Sequence, residues 1–184
     1  MIDYLQNFSK GKDAAIVCIY CNYKEQTEQT VSELIASLLK QLVQDRPMAS
    51  DHVKSLYEQH VARGTRPTYD ELRKVFQSEI GTSTVYVVVD ALDECLERDQ
   101  GHLMTELRSL GSAIHLMVTS RPLLSIEQLF QHATRLDIWA NDADVRKYVE
   151  DRIGHEYRLL LHVNTDHALR EIIVEKIAAN VKGM

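Results

Sequence analysis

Three carboxylates, Asp90, Asp93 and Glu94, follow directly on the run VYVVV at residues 85 to 89. An unbroken run of β-branched and aromatic residues reads as a strand buried on both faces. Such a strand carries its acids out of a dry interior to one tip. A carboxylate fixed there and poorly competed by water suits a hard divalent cation. Magnesium keeps several waters, so one carboxylate can hold it indirectly while a second orients or deprotonates the water that attacks a phosphate. Taken alone, Asp93 and Glu94 would merely open a polar loop. The strand formers ahead of them, and a second apolar run downstream that ends in TSRP (119 to 122), tip the balance toward a site.

The elements that must position this tip can be read from periodicity. AAIVCIYC (14 to 21) is a continuous apolar run and reads as a strand buried on both faces. A long amphipathic helix follows, with Val31, Leu34, Ile35, Leu38, Leu39, Leu42 and Val43 on one face, a Thr30/Glu33 capping box at its start and Pro47 at its end. Ser50 caps a second helix with an inner stripe of Val53, Leu56, Tyr57 and Val61, broken by TRP at 65 to 67. Thr68 and Glu71 form the capping box of a third, which buries Leu72, Val75 and Phe76. The acidic strand then spans about Thr84 to Asp90. Next comes a helix carrying Leu103, Leu107 and Leu110, ended by Gly111 where a left-handed residue is wanted. AIHLMVTS (113 to 120) is a further buried strand, a brief helix lies near Ile126 to Phe130, and TRLDI (134 to 138) is a weaker strand with Trp139 as a core or edge anchor. Two helical segments complete the chain, DADVRKYVEDRI and HALREIIVEKIAANV, the second with Leu169, Ile172, Ile173 and Ile177 aligned.

Apolar strands alternating with amphipathic helices specify a parallel sheet covered on both faces, and ligands on such sheets bind beyond the carboxyl ends of the strands. The acids therefore stand where this architecture places its chemistry. With 184 residues and 45% apolar side chains, the chain can bury one sizeable core. A net charge of −6 argues against nonspecific nucleic-acid binding. No apolar run approaches the ~20 residues that span a bilayer, and MIDYLQNFSKGK lacks the apolar centre of a signal peptide, so a cytoplasmic location is expected. Cys18, Cys21 and Cys95 are few and odd in number, as for reduced thiols, and no structural disulfide is expected.

The segments VYVVVDALDEC and IHLMVTSRP together resemble the Walker B and sensor 1 segments of NACHT-type STAND P-loop NTPases. The nearest likeness is to the nephrocystin-like amino-terminal NTPase domains of fungal proteins that continue into ankyrin, WD40 or tetratricopeptide repeats. YCNYKEQTEQTVSELIASLLKQL is similar to the second strand and its helix, and DIWANDADVRKYVEDRI to the segment after sensor 1. The resemblance implies a three-layer α/β fold of the P-loop NTPase type over residues 1 to 140 and a C-terminal helical part over 141 to 184. It implies that Asp90 supports Mg²⁺, that Asp93 and Glu94 stand near the attacking water, and that Arg121 faces the terminal phosphate, with Thr119 and Ser120 lining the cleft. The implied activity is that of an ATP- or GTP-dependent switch in signalling or assembly, acting through protein partners or self-association of the parent protein, with no nucleic acid and no membrane involved.

Phosphate binding in that family rests on G-x-x-x-x-G-K-[ST], whose backbone N–H groups wrap the phosphates. The sequence holds no match. SKGKD (9 to 13) is the nearest imitation, but Asp13 stands where Ser or Thr is required and Gln6 where the first glycine belongs, so it reads as a turn before the first strand. The chain is therefore expected to be an incomplete domain beginning just after the P-loop, with the first strand and loop absent, and to bind no Mg²⁺ or nucleotide by itself. In the family the absent strand lies between the sensor 1 strand and the last one, so its loss opens a slot in the middle of the sheet, and either TRLDI shifts to pair with the sensor strand or the edges stay open and prone to association. The competing expectation is a noncatalytic interaction or scaffold domain that keeps the fold and has lost the chemistry.

The remaining candidates carry less. Cys18 and Cys21 form C-x-x-C but point to opposite faces of a strand, with no second Cys or His pair to complete a zinc site. Cys95 reads as a packing residue, since no cation stands near its thiol. The eight histidines are scattered, without an H-E-x-x-H motif.

Overall fold

The structure, a computed structural model, describes residues 4–5, 7, 14–44, 50–81 and 84–180. The SKGKD turn and the Pro47 helix stop lie outside these residues. The chain divides into two compact units, Met1–His132 and Ala133–Met184.

In the first unit, Tyr4, Leu5 and Asn7 are helical, and strand β1 (Ala14–Tyr20) leads through a 3-10 turn (Tyr23–Glu25) to helices α1 (Val31–Gln44), α2 (Asp51–Arg63) and α3 (Tyr69–Ile80). Strand β2 (Thr84–Asp90) runs into a second 3-10 turn (Leu92–Glu94), then α4 (Glu97–Ser109), β3 (Ile114–Val118) and the short α5 (Leu124–Leu129). The fold is mixed α/β, with a parallel sheet of order β1-β2-β3 in which Val17 pairs with Val87 and Val87 with Leu116.

Both crossovers step the same way across the sheet, and the right-handed rule then places both sets of helices on one face. The packing agrees: Val17, Ile19, Val85, Val87 and Val89 share one apolar cluster with Leu38 and Leu42 of α1, Phe76 of α3 and Leu103, Met104 and Leu107 of α4. Among the described residues of the first unit, these helices form one layer on that face of the sheet. On the opposite face Val88 is buried, but Tyr86 stacks on the exposed ring of His115, and Met117 is exposed.

Local chemistry explains the element ends. Ser50 Oγ accepts from Val53 N at 3.3 Å to start α2, and also donates to the buried Glu79 carboxylate of α3. The capping box of α3 is complete, with Thr68 N donating to Glu71 Oε2 at 2.7 Å and Glu71 N to Thr68 Oγ1 at 3.4 Å. Of the Thr30/Glu33 pair, the bond from Glu33 N to Thr30 Oγ1 is present at 3.3 Å. Helix α2 ends on Gly64, whose left-handed φ of 61° lets its N–H reach the His60 and Val61 carbonyls, ahead of the Thr65–Pro67 break the sequence pointed to. Gly111 takes a φ of 114° after α4, as its position required.

Several sequence expectations are corrected. The stripe on α2 holds only in part: Leu56 packs against the core and Val53 is half-buried, but Tyr57 and Val61 are exposed, and the helix buries His60, whose Nδ1 meets Thr65 Oγ1 at 2.8 Å. Strand β3 is only half-buried, with His115 and Met117 exposed. TRLDI forms no strand: residues 134–140 are irregular and exposed, Trp139 included, and the other side of β3 has no paired strand among the described residues. The polar flanks Thr134, Arg135 and Asp137 leave only Leu136 and Ile138 to bury, too little for a strand to hold.

The second unit is helical, with α6 (Asp142–His155), α7 (Tyr157–Thr165) and α8 (His167–Asn180) around Val149, Ile153, Val163 and Val174. Helix α7 was not anticipated, because YRLLLHVNT looks like a short apolar run between two helices. On α8 the buried face is Val174 and Ala178 with Ile173 beside it, while Ile172 and Ile177 are exposed. Arg146 holds Glu175 through both guanidinium nitrogens at 2.5 and 3.0 Å, tying α6 to α8. Among the described residues, no helix is long and apolar enough to cross a membrane.

Candidate functional site

The carboxyl ends of the three strands meet at one edge, and Thr119, the residue after β3, is the hub of that edge. Its N–H donates to the Val89 carbonyl at 2.9 Å and its own carbonyl accepts from Leu92 N at 2.9 Å. Its hydroxyl donates to Asp90 Oδ1 at 2.5 Å while accepting from Ala91 N at 2.9 Å. One threonine thus fixes both the rotamer of Asp90 and the exit of the chain from β2.

That exit is sharp. Ala91 sits at φ 55° and ψ 50°, the left-handed region, and is the one non-glycine residue with positive φ among those described. An alanine there stores about 1–2 kcal/mol, which the surrounding bonds must hold in place. The bend drives Leu92 into the core, fully buried, and carries Asp93 and Glu94 in a single 3-10 turn beside the strand end.

Asp93 is bound to Arg121 twice: Oδ1 accepts from the Arg121 backbone N at 3.1 Å and Oδ2 from Nε at 2.5 Å. The pair is lopsided, the Asp93 side chain being 3% exposed and that of Arg121 73%. Burial pushes the Asp93 carboxyl up, but the hydrogen bonds and charge of Arg121 outweigh it and hold the group below the usual carboxylate range. The same contacts raise Arg121 above its ordinary value.

Glu94 faces the loop that follows β1. Its Oε2 accepts from Tyr23 N at 3.2 Å and its carbonyl from Gln26 Nε2 at 2.8 Å, so it caps the 3-10 turn there. Gln29 closes the same loop, accepting from Asn22 N at 2.9 Å and donating to the Tyr20 carbonyl at 3.0 Å. The Ser120 hydroxyl donates to the Arg121 carbonyl at 2.9 Å. The fold therefore brings together Asp90 with Thr119, and Asp93 with Arg121. Glu94 stands beside them on a separate set of bonds.

Sequence reading missed Gln26, Gln29, Gln41 and Gln100, since a glutamine that bonds backbone leaves no periodic trace. Gln41 on α1 bonds both Cys18 N and Cys18 O at 2.8 Å, acting as a one-residue strand on the outer edge of β1. The Cys21 thiol is pushed up by the neighbouring Cys95 side chain and by burial, and that of Cys95 is lowered by its interaction with Cys21.

Residues 1–121 match the family model described as nephrocystin 3, N-terminal. The chain belongs to that family. No curated protein and no solved structure matches it. The matched residues of the family member run from the amino terminus through β3 and end on Arg121, so every candidate site residue lies inside them.

A magnesium ion commonly takes one or two carboxylates and completes its shell with water and phosphate oxygens. Asp90 fits that mode: Thr119 occupies Oδ1, and Oδ2 makes no hydrogen bond to a described residue. A cage made by protein alone is not what the tip offers. Among the described residues no three His, Cys, Asp or Glu side chains converge on a point.

Proposed function

We propose that the acidic tip is the metal- and water-handling half of a nucleotide-dependent switch of the NACHT-type P-loop NTPase class, serving signalling or assembly. In this role Asp90 supports Mg²⁺ beneath the phosphates of ATP or GTP and Thr119 holds its carboxylate in place. Asp93 and Glu94 stand near the attacking water, Ser120 lines the cleft, and Arg121 answers the terminal phosphate. The main support is the hydroxyl of Thr119, which joins the end of the acidic strand to the end of the next and leaves one oxygen of Asp90 available.

The Asp93–Arg121 pair gives the switch a physical basis. Arg121 neutralises Asp93 in the absence of ligand, and a carboxylate so stabilised is a poor base. A terminal phosphate competes for the guanidinium, and only its departure leaves Asp93 able to take a proton. Ligand chemistry and site activation are then one event.

The 184 residues contain no glycine-rich lysine loop, and carboxylates alone repel a polyphosphate. Hydrolysis by this polypeptide is therefore not expected, and its partners are other proteins or further copies of the parent, in the cytoplasm. A noncatalytic interaction domain is the competing role, favoured by exposed apolar side chains at Leu136, Ile138 and Trp139. Calorimetric titration of Mg·ATP and Mg·GTP separates the two. The chain as given should bind neither at micromolar concentration, whereas a chain with a strand and glycine-rich lysine loop placed ahead of Met1 should bind one. Micromolar binding by the former contradicts the expectation that the polypeptide as given does not bind, and none by the latter contradicts the switch.

A further inference from the structure

The stretch RLDIWA at 135 to 140, which forms no strand, keeps its apolar side chains in water. Leu136 and Ile138 are 80% and 82% exposed, and Trp139 is 56% exposed. In an extended chain Leu136 and Ile138 point to one side and Arg135 and Asp137 to the other. Arg135 Nε donates to Asp137 Oδ1 at 2.7 Å, so the charged side of the stretch carries both signs together. Three large apolar side chains within four residues are a cluster that gains stability when something covers it.

A surface of matching character lies in the same unit, Ala133–Met184. A groove of about 620 Å³ runs along α6, lined by Val145, Val149 and Ile153, with Leu159 of α7 and Ile173 and Ile177 of α8 on its other sides. That volume is within the range of pockets that enclose a drug-sized body. The rim carries Asp144, Arg152 and Glu156, and Arg152 donates to Glu156 at 3.0 Å. Ala140, the last residue of the exposed stretch, also lines the groove. The next residue, Asn141, accepts from Asp144 N at 2.8 Å and caps α6, which fixes an extended path into the helix. The exposure of Leu136, Ile138 and Trp139 shows that the stretch is not seated in the groove of its own chain.

We propose that this groove receives residues 136–139 of a second copy of the chain, in a reciprocal two-fold pair. Each copy offers one apolar stretch and one apolar groove, and because the two join at Ala140, a single two-fold axis satisfies both at once. Leu136, Ile138 and Trp139 supply the apolar filling and cover Tyr148 and Ile177, the exposed large apolar residues of the lining. Arg135 and Asp137 meet a rim that likewise holds both signs, so no charge is left without an opposite one. Three large side chains from each copy, with the groove walls they cover, remove on the order of 1,200 Å² in all, the lower end of specific interfaces, and a micromolar affinity is expected. The contact uses no residue of the acidic tip, so its outcome is separate from that of nucleotide binding.

Trp139 is the single tryptophan of the chain, so its fluorescence reads the contact directly. Sedimentation equilibrium and tryptophan emission of the full chain are followed together from about 1 to 200 µM. The expected result is a monomer–dimer equilibrium whose midpoint coincides with a blue shift of Trp139 and a fall in its quenching by acrylamide. Tryptic cleavage after Arg135, rapid in the dilute monomer, should slow in step. Leu136→Asp and Ile138→Asp change side chains that are exposed in the single chain and should weaken the pair at least about tenfold, and Ile177→Asp should do the same from the groove. Should Ile177→Asp lose helix by circular dichroism, the two stretch variants decide alone. A chain that stays monomeric throughout, a dimer that Leu136→Asp and Ile138→Asp leave intact, a mass that grows beyond two copies, or a Trp139 emission that does not follow dimer formation would overturn the proposal.

Discussion

The hydroxyl of Thr119 serves two partners, and neither can be replaced by water without disturbing the other. Thr119→Val keeps the shape of the side chain but leaves Asp90 Oδ1 and Ala91 N without it. Urea denaturation should show a loss of about 1–3 kcal/mol, and Thr119→Ser should recover most of it. Ala91 makes the opposite prediction. Glycine adopts the left-handed region without penalty but gains freedom in the unfolded chain, so Ala91→Gly should be neutral or stabilising by up to about 1 kcal/mol, whereas Ala91→Val should destabilise. Asp93 sets a pH dependence. Its folded pKa lies below its unfolded value, so the stability it contributes is complete above the unfolded value and is lost as pH falls through the folded one. Stability curves should therefore droop in acid below the ordinary carboxylate range. Asp93→Asn should flatten that droop, and salt should weaken it because Arg121 is exposed. An unchanged acid limb in Asp93→Asn would show that other carboxylates carry it. The acids themselves were legible in the sequence because an apolar run ending in Asp has few other meanings. Their fixed partners were legible only in part: Arg121 and Thr119 stood in a second strand-end motif, while Tyr23 contributes a backbone N–H that no side-chain pattern announces.

Helices α1, α3 and α4 were readable because their buried faces recur at helical spacing, with Thr30 and Thr68 starting α1 and α3 and Gly111 following α4. Thr68→Ala should cost about 1 kcal/mol in equilibrium unfolding by removing the capping box of α3. Helix α2 misled for a physical reason. Its apolar side chains are too few to form a face, and it is held instead by Ser50 at one end and by His60 at the other, where Nδ1 meets Thr65 and Nε2 lies 3.3 Å from the Glu71 carboxylate. Among the described residues, the edge of β1 is likewise closed by a side chain and not by a strand. Gln41→Leu would leave the N–H and carbonyl of Cys18 unpaired, at about 1–3 kcal/mol for each buried group. The variant should unfold earlier and, with an open strand edge, aggregate at lower concentration, as light scattering would reveal. Strand β3 was placed correctly but its burial was not, because an apolar run records what a strand tolerates and not which faces are covered.

Across the whole chain, the alternation of strands and helices made the parallel sheet legible, and the shared helical layer of the first unit follows from two crossovers stepping in one direction. TRLDI was misread because a five-residue pattern carries too little apolar surface to specify a strand against an exposed irregular path. Its exposure has a consequence: limited trypsin digestion should cut first near Arg135, between the units Met1–His132 and Ala133–Met184, before either helical core is attacked. Early cleavage within α1 or α4 would contradict that division. The chemistry of the molecule comes down to whether Asp90 meets a nucleotide through a metal. The most direct measurement is the nucleotide affinity of the chain bearing a supplied glycine-rich lysine loop, compared with its Asp90→Asn variant, in the presence and absence of Mg²⁺. A loss of at least about tenfold with Mg²⁺ and little change without it is the predicted result. Equal affinities under both conditions, or an equal loss with and without the metal, would contradict it.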